Sequence, residues 1–331
     1  MKIVITGSSG FIGFHTCIKF LEEGHQVHGI DNENNYYDVN LKKSRRGIIQ
    51  KKYKTNFTFY KCDISSRDKI NKLLDDINPD LIINLAAQAG VRHSLKFPED
   101  YTKANIDGFL NILEYAKTSK SLKHLVYAST SSVYGGNKKM PFKESDDVGN
   151  PLQYYAVTKR ANELMAKAYG NMYGIPSTGL RFFTVYGPWG RPDMALFKFT
   201  ENILNNKEID VFNNGNHKRD FTYVSDIVEG IFMASLDKNF YEIKKNNINN
   251  DSFGRVINIG RGKSESLEDF INEIEINLGI KAKKNYLPIQ IGDVPKTHAS
   301  ITKLKKIGYK PRVSISKGVK EFVDWYLKFY R

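Results

Sequence analysis

The stretch that decides the fold is KIVITGSSGFIG, residues 2–13. A short apolar strand runs into a turn with glycines at every third position, and an amphipathic helical pattern starts directly after it. Glycines at such a turn let a backbone approach a pyrophosphate, and the N–H groups and dipole at the start of the helix attract its charge. The spacing is a variant of the dinucleotide-binding fingerprint. It predicts cofactor contacts at Gly7, Gly10, Phe11, Ile12 and Gly13.

Outward from this stretch, short apolar runs alternate with helical patterns as far as the strand around residues 179–183. Strands that are almost entirely apolar are typical of a parallel sheet covered by helices on both faces. We therefore predict an α/β fold, a Rossmann-type doubly wound parallel sheet with a smaller C-terminal substrate-binding lobe. Residues 1–180, with segments returning near 221–260, are predicted to form the dinucleotide-binding domain, and 181–331 mainly the lobe. A polar insertion of low complexity covers residues 244–251.

The second predicted strand ends at Asp31, where a carboxylate can accept hydrogen bonds from the adenosine ribose hydroxyls. The same carboxylate repels a ribose 2′-phosphate, and the adjoining residues 32–34 supply no arginine to receive one. This favours NAD over NADP. The alternative is that Asp31 caps a turn.

Two further strand ends lie where a bound dinucleotide passes. Asp63 and Ile64 end the third strand and are predicted to border the adenine, while Leu85, Ala86 and Ala87 end the fourth and leave room beneath the cofactor. Core packing explains these positions equally well.

Tyr155 and Lys159 start an evident helix and lie one turn apart on the same face. A phenol with a pKa of about 10 is a poor base at neutral pH, but an adjacent ammonium and a positive nicotinamide ring favour its phenolate. A tyrosine and a lysine at this spacing also occur by chance in many helices. Behind a dinucleotide fingerprint the pair indicates a catalytic acid/base.

One strand earlier, residues 129–132 end the fifth strand with a row of hydroxyl groups. One of them can share a hydrogen bond with the reacting oxygen, although some of them cap backbone groups in a turn.

Together these elements resemble the extended short-chain dehydrogenase/reductase family over essentially the whole chain. By that resemblance Thr130 is the catalytic Ser/Thr and Tyr155 is the acid/base. Lys159 contacts the nicotinamide ribose while lowering the pKa of Tyr155. The family also implies that NAD stays bound through the whole reaction cycle.

Two segments indicate which member of the family is nearest. Relatives that eliminate water or decarboxylate carry acidic residues immediately before the V-Y-G motif, where this chain has Ser131-Ser132. A dehydratase is therefore disfavoured. Residues 181–195 resemble the segment typical of UDP-glucuronate 4-epimerases, including those of bacterial capsule synthesis. Arg191 within it can bind a sugar carboxylate through a bidentate fork, or else pair with Asp193.

The remaining substrate contacts rest on the same resemblance. Arg219 is assigned to the UDP diphosphate, Phe212 to the region of the uracil, and Asp293 to closure of the lobe; Ser131 and Thr184 complete the set. The chain departs from the pattern at Asn84, where many relatives have His, and at Gln153 and Tyr154, which replace a small Ser and its neighbour.

The predicted function is NAD-dependent inversion at carbon 4 of a UDP-sugar, with UDP-glucuronate to UDP-galacturonate the best specific reading. The reaction passes through a 4-keto intermediate with Tyr155 as acid/base. Alternatives are a UDP-glucuronate decarboxylase, a 4-epimerase of UDP-glucose or UDP-N-acetylglucosamine, and a non-catalytic NAD- or RNA-binding relative. The intact set of Thr130, Tyr155 and Lys159 argues against the last.

Composition fits such an enzyme. Of the 331 residues 40% are apolar, and 50 Lys plus Arg against 36 Asp plus Glu give a net charge of +14. The charge suits a phosphorylated substrate, and no basic stripe indicates nucleic acid. Cys17 and Cys62 lack metal-ligand spacing, so no metal is predicted.

We expect a cytoplasmic protein without a membrane segment. The resemblance implies a homodimer, for which Phe109, Leu113, Leu164 and Met165 are apolar positions that core packing explains equally well.

Overall fold

The computed structural model describes residues 1–237, 240 and 253–331. The polar insertion predicted over 244–251 lies outside the described residues. Seven of the described strands form one sheet, and every neighbouring pair in it is parallel. Its strands, in the spatial order of the sheet, are β11 (Arg255–Ile259), β6 (Ser177–Phe182), β5 (His124–Thr130), β4 (Leu81–Asn84), β1 (Lys2–Thr6), β2 (Gln26–Asp31) and β3 (Phe57–Lys61).

Helices cover both faces of this sheet. They are α1 (Phe11–Glu22), α2 (Val39–Lys52), α3 (Arg67–Ile77), α4 (Pro98–Tyr101), α5 (Gly108–Thr118), α6 (Tyr154–Tyr173) and α8 (Val224–Ser235). A π-helical turn over Thr102–Asp107 joins α4 to α5. The central strand shows why two layers form. Ile3 and Ile5 point into the core beneath α1, whereas Val4 between them points into the core beneath α3 and α5. All three are fully buried, which stabilises the fold by about 1.5–3 kcal/mol for each side chain.

The smaller lobe is built from two-stranded pairs and three helices. The pairs are β7 (Thr184–Tyr186) with β10 (Phe221–Tyr223), β8 (Glu208–Phe212) with β13 (Lys283–Leu287), and β9 (Lys218–Arg219) with β12 (Glu265–Ser266). The helices α7 (Ala195–Leu204), α9 (Leu267–Leu278) and α11 (Ile315–Tyr330) surround a separate apolar core. In it the rings of Phe221 and Phe270 stack with centroids 4.2 Å apart. A short α10 (Thr302–Lys306) packs near β11.

The predicted Rossmann-type parallel sheet is confirmed. The domain limits stay a prediction, but β11 joins the main sheet beside β6 and so brings part of the 221–260 region back to it. Of the apolar positions considered for dimer contact, Phe109 and Leu113 lie in the core at 1% and 0% exposure. Core packing therefore explains these two, because α5 turns them toward the sheet. Leu164 is 53% exposed.

Candidate functional site

A cavity of about 930 Å³ lies at the carboxyl ends of the sheet strands, between the Rossmann domain and the smaller lobe. Parallel α/β sheets bind ligands at this edge. Every residue that the sequence assigns to the site lies on the wall of this cavity, from Gly7 on one side to Asp293 on the other. The individual roles of those residues stay predictions.

The glycine turn has the shape that a dinucleotide requires. A Cβ on Gly7 would lie 2.8 Å from the backbone nitrogen of Ala86, and one on Gly13 would lie 2.0 Å from the carbonyl oxygen of Gly7. The turn therefore has no room for side chains at Gly7 and Gly13, because each of them would overlap the protein's own backbone. The absence of side chains also lets a ligand approach the turn closely. Helix α1 has no side chain capping its N terminus, so its first N–H groups are left for an anion. These features fit a pyrophosphate.

Asp31 is held by two backbone hydrogen bonds at the predicted adenosine end of the cavity. Its two carboxylate oxygens accept hydrogen bonds from the backbone N–H groups of Ser9, at 3.0 Å, and Glu33, at 2.7 Å. Burial raises the pKa of Asp31. The carboxylate thus caps a turn and lines the cavity at once, so the two readings of this residue are compatible.

Asp63 is fixed in a similar way. It accepts hydrogen bonds from Ser65 and from the side chain of Asn32, at 3.0 Å. Burial raises the pKa of Asp63, but these hydrogen bonds outweigh it and hold the pKa below its usual value.

The end of β4 passes beneath the predicted nicotinamide site. The Thr6 hydroxyl donates to Asn84 Oδ1 at 2.7 Å and accepts from the Ala86 N–H at 3.1 Å. Asn84 is thus a buried residue that ties β1 to β4. The small side chains of Ala86 and Ala87 leave the cavity open above them.

Tyr155 and Thr130 form the centre of the site. Tyr155 lies in the first turn of α6, where its backbone N–H donates to Ser94 Oγ at 3.3 Å. Burial raises the pKa of the Tyr155 phenol, while the charge of Arg191 and a hydrogen bond with Thr130 lower it, and the net pKa lies above its ordinary value. A bound cationic ring would lower it further.

Lys159 is buried in the cavity beside β5. Its ammonium donates to the Ala128 carbonyl at the end of β5, at 3.0 Å, and burial lowers its pKa to about 8. The charge of Arg191 lowers the pKa of Tyr155, and the role of Lys159 toward Tyr155 and the nicotinamide ribose stays a prediction. The helical spacing was sufficient to place Lys159 in the cavity, but not to show that a strand-end carbonyl holds its ammonium.

Arg191 lies on the wall of the smaller lobe. Its Nε donates to Asp193 Oδ1 at 2.9 Å, and its Nη2 donates to Asp193 Oδ2. The Tyr36 hydroxyl, which comes from the loop after β2, donates to the same Oδ2 at 3.3 Å. The pairing that the sequence left as an alternative is therefore present, in a cavity that also contains Tyr155.

At the far end of the cavity, Arg219 Nη2 donates to Asp293 Oδ1 at 2.7 Å, and Arg219 Nη1 donates to the Pro295 carbonyl at 3.1 Å. Burial lowers the pKa of Arg219. The guanidinium of Arg92 lies 4.8 Å from the centre of the Phe212 ring. An arginine and an aromatic ring from different halves of the molecule thus meet at the predicted uracil site.

Sequence reasoning missed Tyr36 and Arg92. Both come from irregular loops, and neither belongs to a motif or a periodic pattern. Their partners lie 157 and 120 positions further along the chain, at Asp193 and Phe212. No local signal marks such contacts.

Residues 1–237, 240 and 253–331 contain no cluster of His, Cys, Asp or Glu that is suited to a metal ion. Within the same residues, no helix combines the length and the apolar character that crossing a bilayer requires.

The comparisons with known proteins agree with this geometry. Residues 3–260 match a model of the NAD dependent epimerase/dehydratase family. The chain belongs to this family. Protein CapI of Staphylococcus aureus is 48% identical over 100% of both chains. A probable UDP-glucuronate 4-epimerase of Rhizobium meliloti is 44% identical over 100% of this chain and 98% of its own.

Among solved structures, the UDP-glucuronic acid 4-epimerase from Bacillus cereus, in complex with UDP-glucuronic acid and NAD, matches this member of the epimerase/dehydratase family with a TM-score of 0.88. It is 35% identical and both chains are covered to 100%. The predictions of an NAD-dependent enzyme and of its family are therefore confirmed.

Proposed function

We propose that this family member is a UDP-glucuronate 4-epimerase, which inverts carbon 4 to form UDP-galacturonate. The observation that carries the proposal is the position of Arg191. Its guanidinium lines the same cavity as Tyr155 and is close enough to lower the pKa of that phenol. Because both residues line one cavity, we expect a sugar whose 4-hydroxyl meets Tyr155 to turn its carboxylate toward Arg191. The names of the relatives from Rhizobium meliloti and Bacillus cereus support this substrate.

When bound, NAD accepts a hydride from carbon 4 of the sugar and later returns it. The chain's own residues handle the proton. Tyr155, as phenolate, takes the proton of the 4-hydroxyl and gives it back when the 4-keto sugar is reduced on its other face. Thr130, which lowers the pKa of Tyr155 and whose hydroxyl donates to Ser132 Oγ at 3.2 Å, holds the reacting oxygen near the phenol. Lys159 lines the predicted nicotinamide end, next to the Ala128 carbonyl of β5.

Arg191 has a second task in this reaction. A 4-keto uronic acid is a β-keto acid, which loses CO2 when the carboxylate bond aligns with the π system of the carbonyl. A guanidinium that grips the carboxylate by two hydrogen bonds can hold it out of alignment, which a lysine cannot. Epimerisation without loss of carbon therefore depends on Arg191.

Product analysis separates this proposal from its alternatives. Purified protein is incubated in turn with UDP-glucuronate, UDP-glucose and UDP-N-acetylglucosamine, and the products are resolved by chromatography. We expect UDP-galacturonate from the first and little reaction with the others. CO2 as the main product would instead indicate a decarboxylase, and turnover of a neutral sugar alone would indicate another 4-epimerase.

Arg191→Ala and Arg191→Lys extend the test. We expect both variants to bind UDP-glucuronate more weakly and to release some decarboxylated product, with the lysine variant keeping charge but not the fork. Unchanged kinetics in both would contradict the role of Arg191.

We also propose a cytoplasmic homodimer that serves polysaccharide synthesis. Exposed apolar side chains on and beside α4 and α6 support the dimer, namely Leu95, Phe97, Val157 and Leu164. Light scattering on the wild type and on Leu164→Glu tests it, and a monomeric wild type would contradict it.

A further inference from the structure

Asp193 contacts Arg191 along one defined edge of the guanidinium. Nε and Nη2 form that edge, and they donate to the two oxygens of the Asp193 carboxylate. A guanidinium has a second edge, formed by Nη1 and Nη2, which can receive another carboxylate. Asp193 therefore need not leave for a sugar carboxylate to bind Arg191.

The Asp193 carboxylate is itself held from the Rossmann domain. The Tyr36 hydroxyl donates to Asp193 Oδ2 at 3.3 Å, and the Tyr36 ring lies 5.8 Å from the Arg191 guanidinium carbon. Tyr36 has little freedom to move, because its hydroxyl packs where a Cβ on Gly90 would lie only 2.5 Å away. The plane of the Arg191 guanidinium is thus fixed by residues from both halves of the molecule.

We infer that Asp193 is a positioning residue, which aims Arg191 so that the carboxylate of the 4-keto intermediate is held out of line with the carbonyl. This inference rests on the proposed function. Charge alone attracts a carboxylate, but it does not fix its torsion; only a guanidinium of fixed orientation does that. A mobile Arg191 would still bind the sugar and would let its carboxylate rotate.

Asp193 would suppress the decarboxylation of the 4-keto intermediate, and this reaction needs no further reactant. The bond between carbons 5 and 6 breaks and CO2 leaves. The electron pair of the broken bond forms a double bond between carbons 5 and 4. The oxygen on carbon 4 takes the proton held by Tyr155. The enol then becomes a 4-keto pentose, still attached to UDP.

The test follows UDP-glucuronate labelled with ¹³C at carbon 6 and measures labelled CO2 against labelled UDP-galacturonate. For Asp193→Asn we expect this ratio to rise by about tenfold or more over the wild type, because one of the two hydrogen bonds and the charge pairing are lost. The ratio is independent of how much enzyme is active, so partial misfolding does not change it. Tyr36→Phe, which keeps the ring and removes the hydroxyl, should raise it less. The matched control is Asp324→Asn, an exposed aspartate outside the cavity that contacts Lys320, and it should leave the ratio unchanged.

A pH profile gives a second readout. The titratable or charged groups around Arg191 are Asp193, Tyr36, Tyr37, Lys42, Tyr101 and Tyr155. Removal of the Asp193 charge leaves the guanidinium uncompensated, which lowers the pKa of Tyr155 and moves the acid limb of kcat/KM to lower pH.

An unchanged ratio in Asp193→Asn would overturn the inference, even if kcat fell. Tighter binding of UDP-glucuronate with an unchanged ratio would overturn it too, since Asp193 would then be a competitor for Arg191. A wild type that epimerises without loss of CO2 upholds the proposed function in either case. A wild type inactive on UDP-glucuronate overturns both.

Discussion

The two walls of the cavity are held in place by different means. On the Rossmann wall the site residues are fixed by backbone: Gly7 and Gly13 pack against neighbouring main chain, and Asp31 accepts two backbone N–H groups. On the wall of the smaller lobe they are fixed by pairs of charged side chains, Arg191 with Asp193 and Arg219 with Asp293. The Rossmann wall, which is the predicted cofactor wall, is thus fixed by main-chain contacts. The wall of the smaller lobe, the predicted sugar wall, depends on side chains that can be exchanged singly.

The largest effect should come from Tyr155, where the two walls meet. We expect Tyr155→Phe to lower kcat by about 10²–10⁴-fold, because the proton of the 4-hydroxyl loses its acceptor. Steady-state assays with UDP-glucuronate measure this. The control is Tyr154→Phe, which removes a neighbouring hydroxyl that contacts Thr102 Oγ1 at 2.6 Å. Equal losses in both variants would refute the assignment.

The next effect tests whether the Rossmann wall depends on backbone packing. We expect Gly13→Ala to destabilise the protein by about 1–3 kcal/mol and to weaken NAD binding, because the new Cβ would overlap the Gly7 carbonyl. Urea unfolding and NAD titration measure the two effects. Gly47→Ala is the control, since no atom lies within 4 Å of its Cβ position. If Gly13→Ala unfolded with the same free energy as the wild type, the turn would have space for a Cβ at this position.

A moderate effect should follow at the far end of the sugar wall. Arg219→Ala should raise KM for the UDP-sugar about tenfold with kcat little changed, because the predicted diphosphate contact lies away from carbon 4. Lys218→Ala, whose exposed side chain is next in sequence, is the control. A fall in kcat at constant KM would contradict this role.

The smallest effect concerns the buried ammonium of Lys159. Its folded pKa of about 8 lies below the unfolded value of about 10.4, so between these values the unfolded chain binds more protons and stability rises with pH. In protein freed of NAD, we expect the free energy of unfolding of the wild type to rise between pH 7 and pH 10 by about 2 kcal/mol more than that of Lys159→Met. Urea unfolding at both pH values measures this, and parallel changes in the two proteins would show that burial does not perturb Lys159.

The same contrast explains what the sequence could predict. The glycine turn, Asp31 and the spacing of Tyr155 and Lys159 are local patterns, and local backbone structure determines where they lie. Partners on the sugar wall come from distant segments: Tyr36 meets Asp193, and Arg219 meets Asp293 across 74 positions. The sequence named Arg219 and Asp293 separately but could not pair them. Nor could it assign Phe109 and Leu113 to the core or to a dimer contact, since both environments favour apolar side chains.

The central claim is that one site removes and returns the same hydride at carbon 4 while Arg191 keeps the carboxylate in place. UDP-glucuronate deuterated at carbon 4 tests it most directly, in ordinary water with the product read by proton NMR and mass spectrometry. We expect UDP-galacturonate that keeps the deuterium at carbon 4 and all six sugar carbons. UDP-galacturonate that has exchanged its deuterium for a solvent proton, or a pentose product, would contradict it.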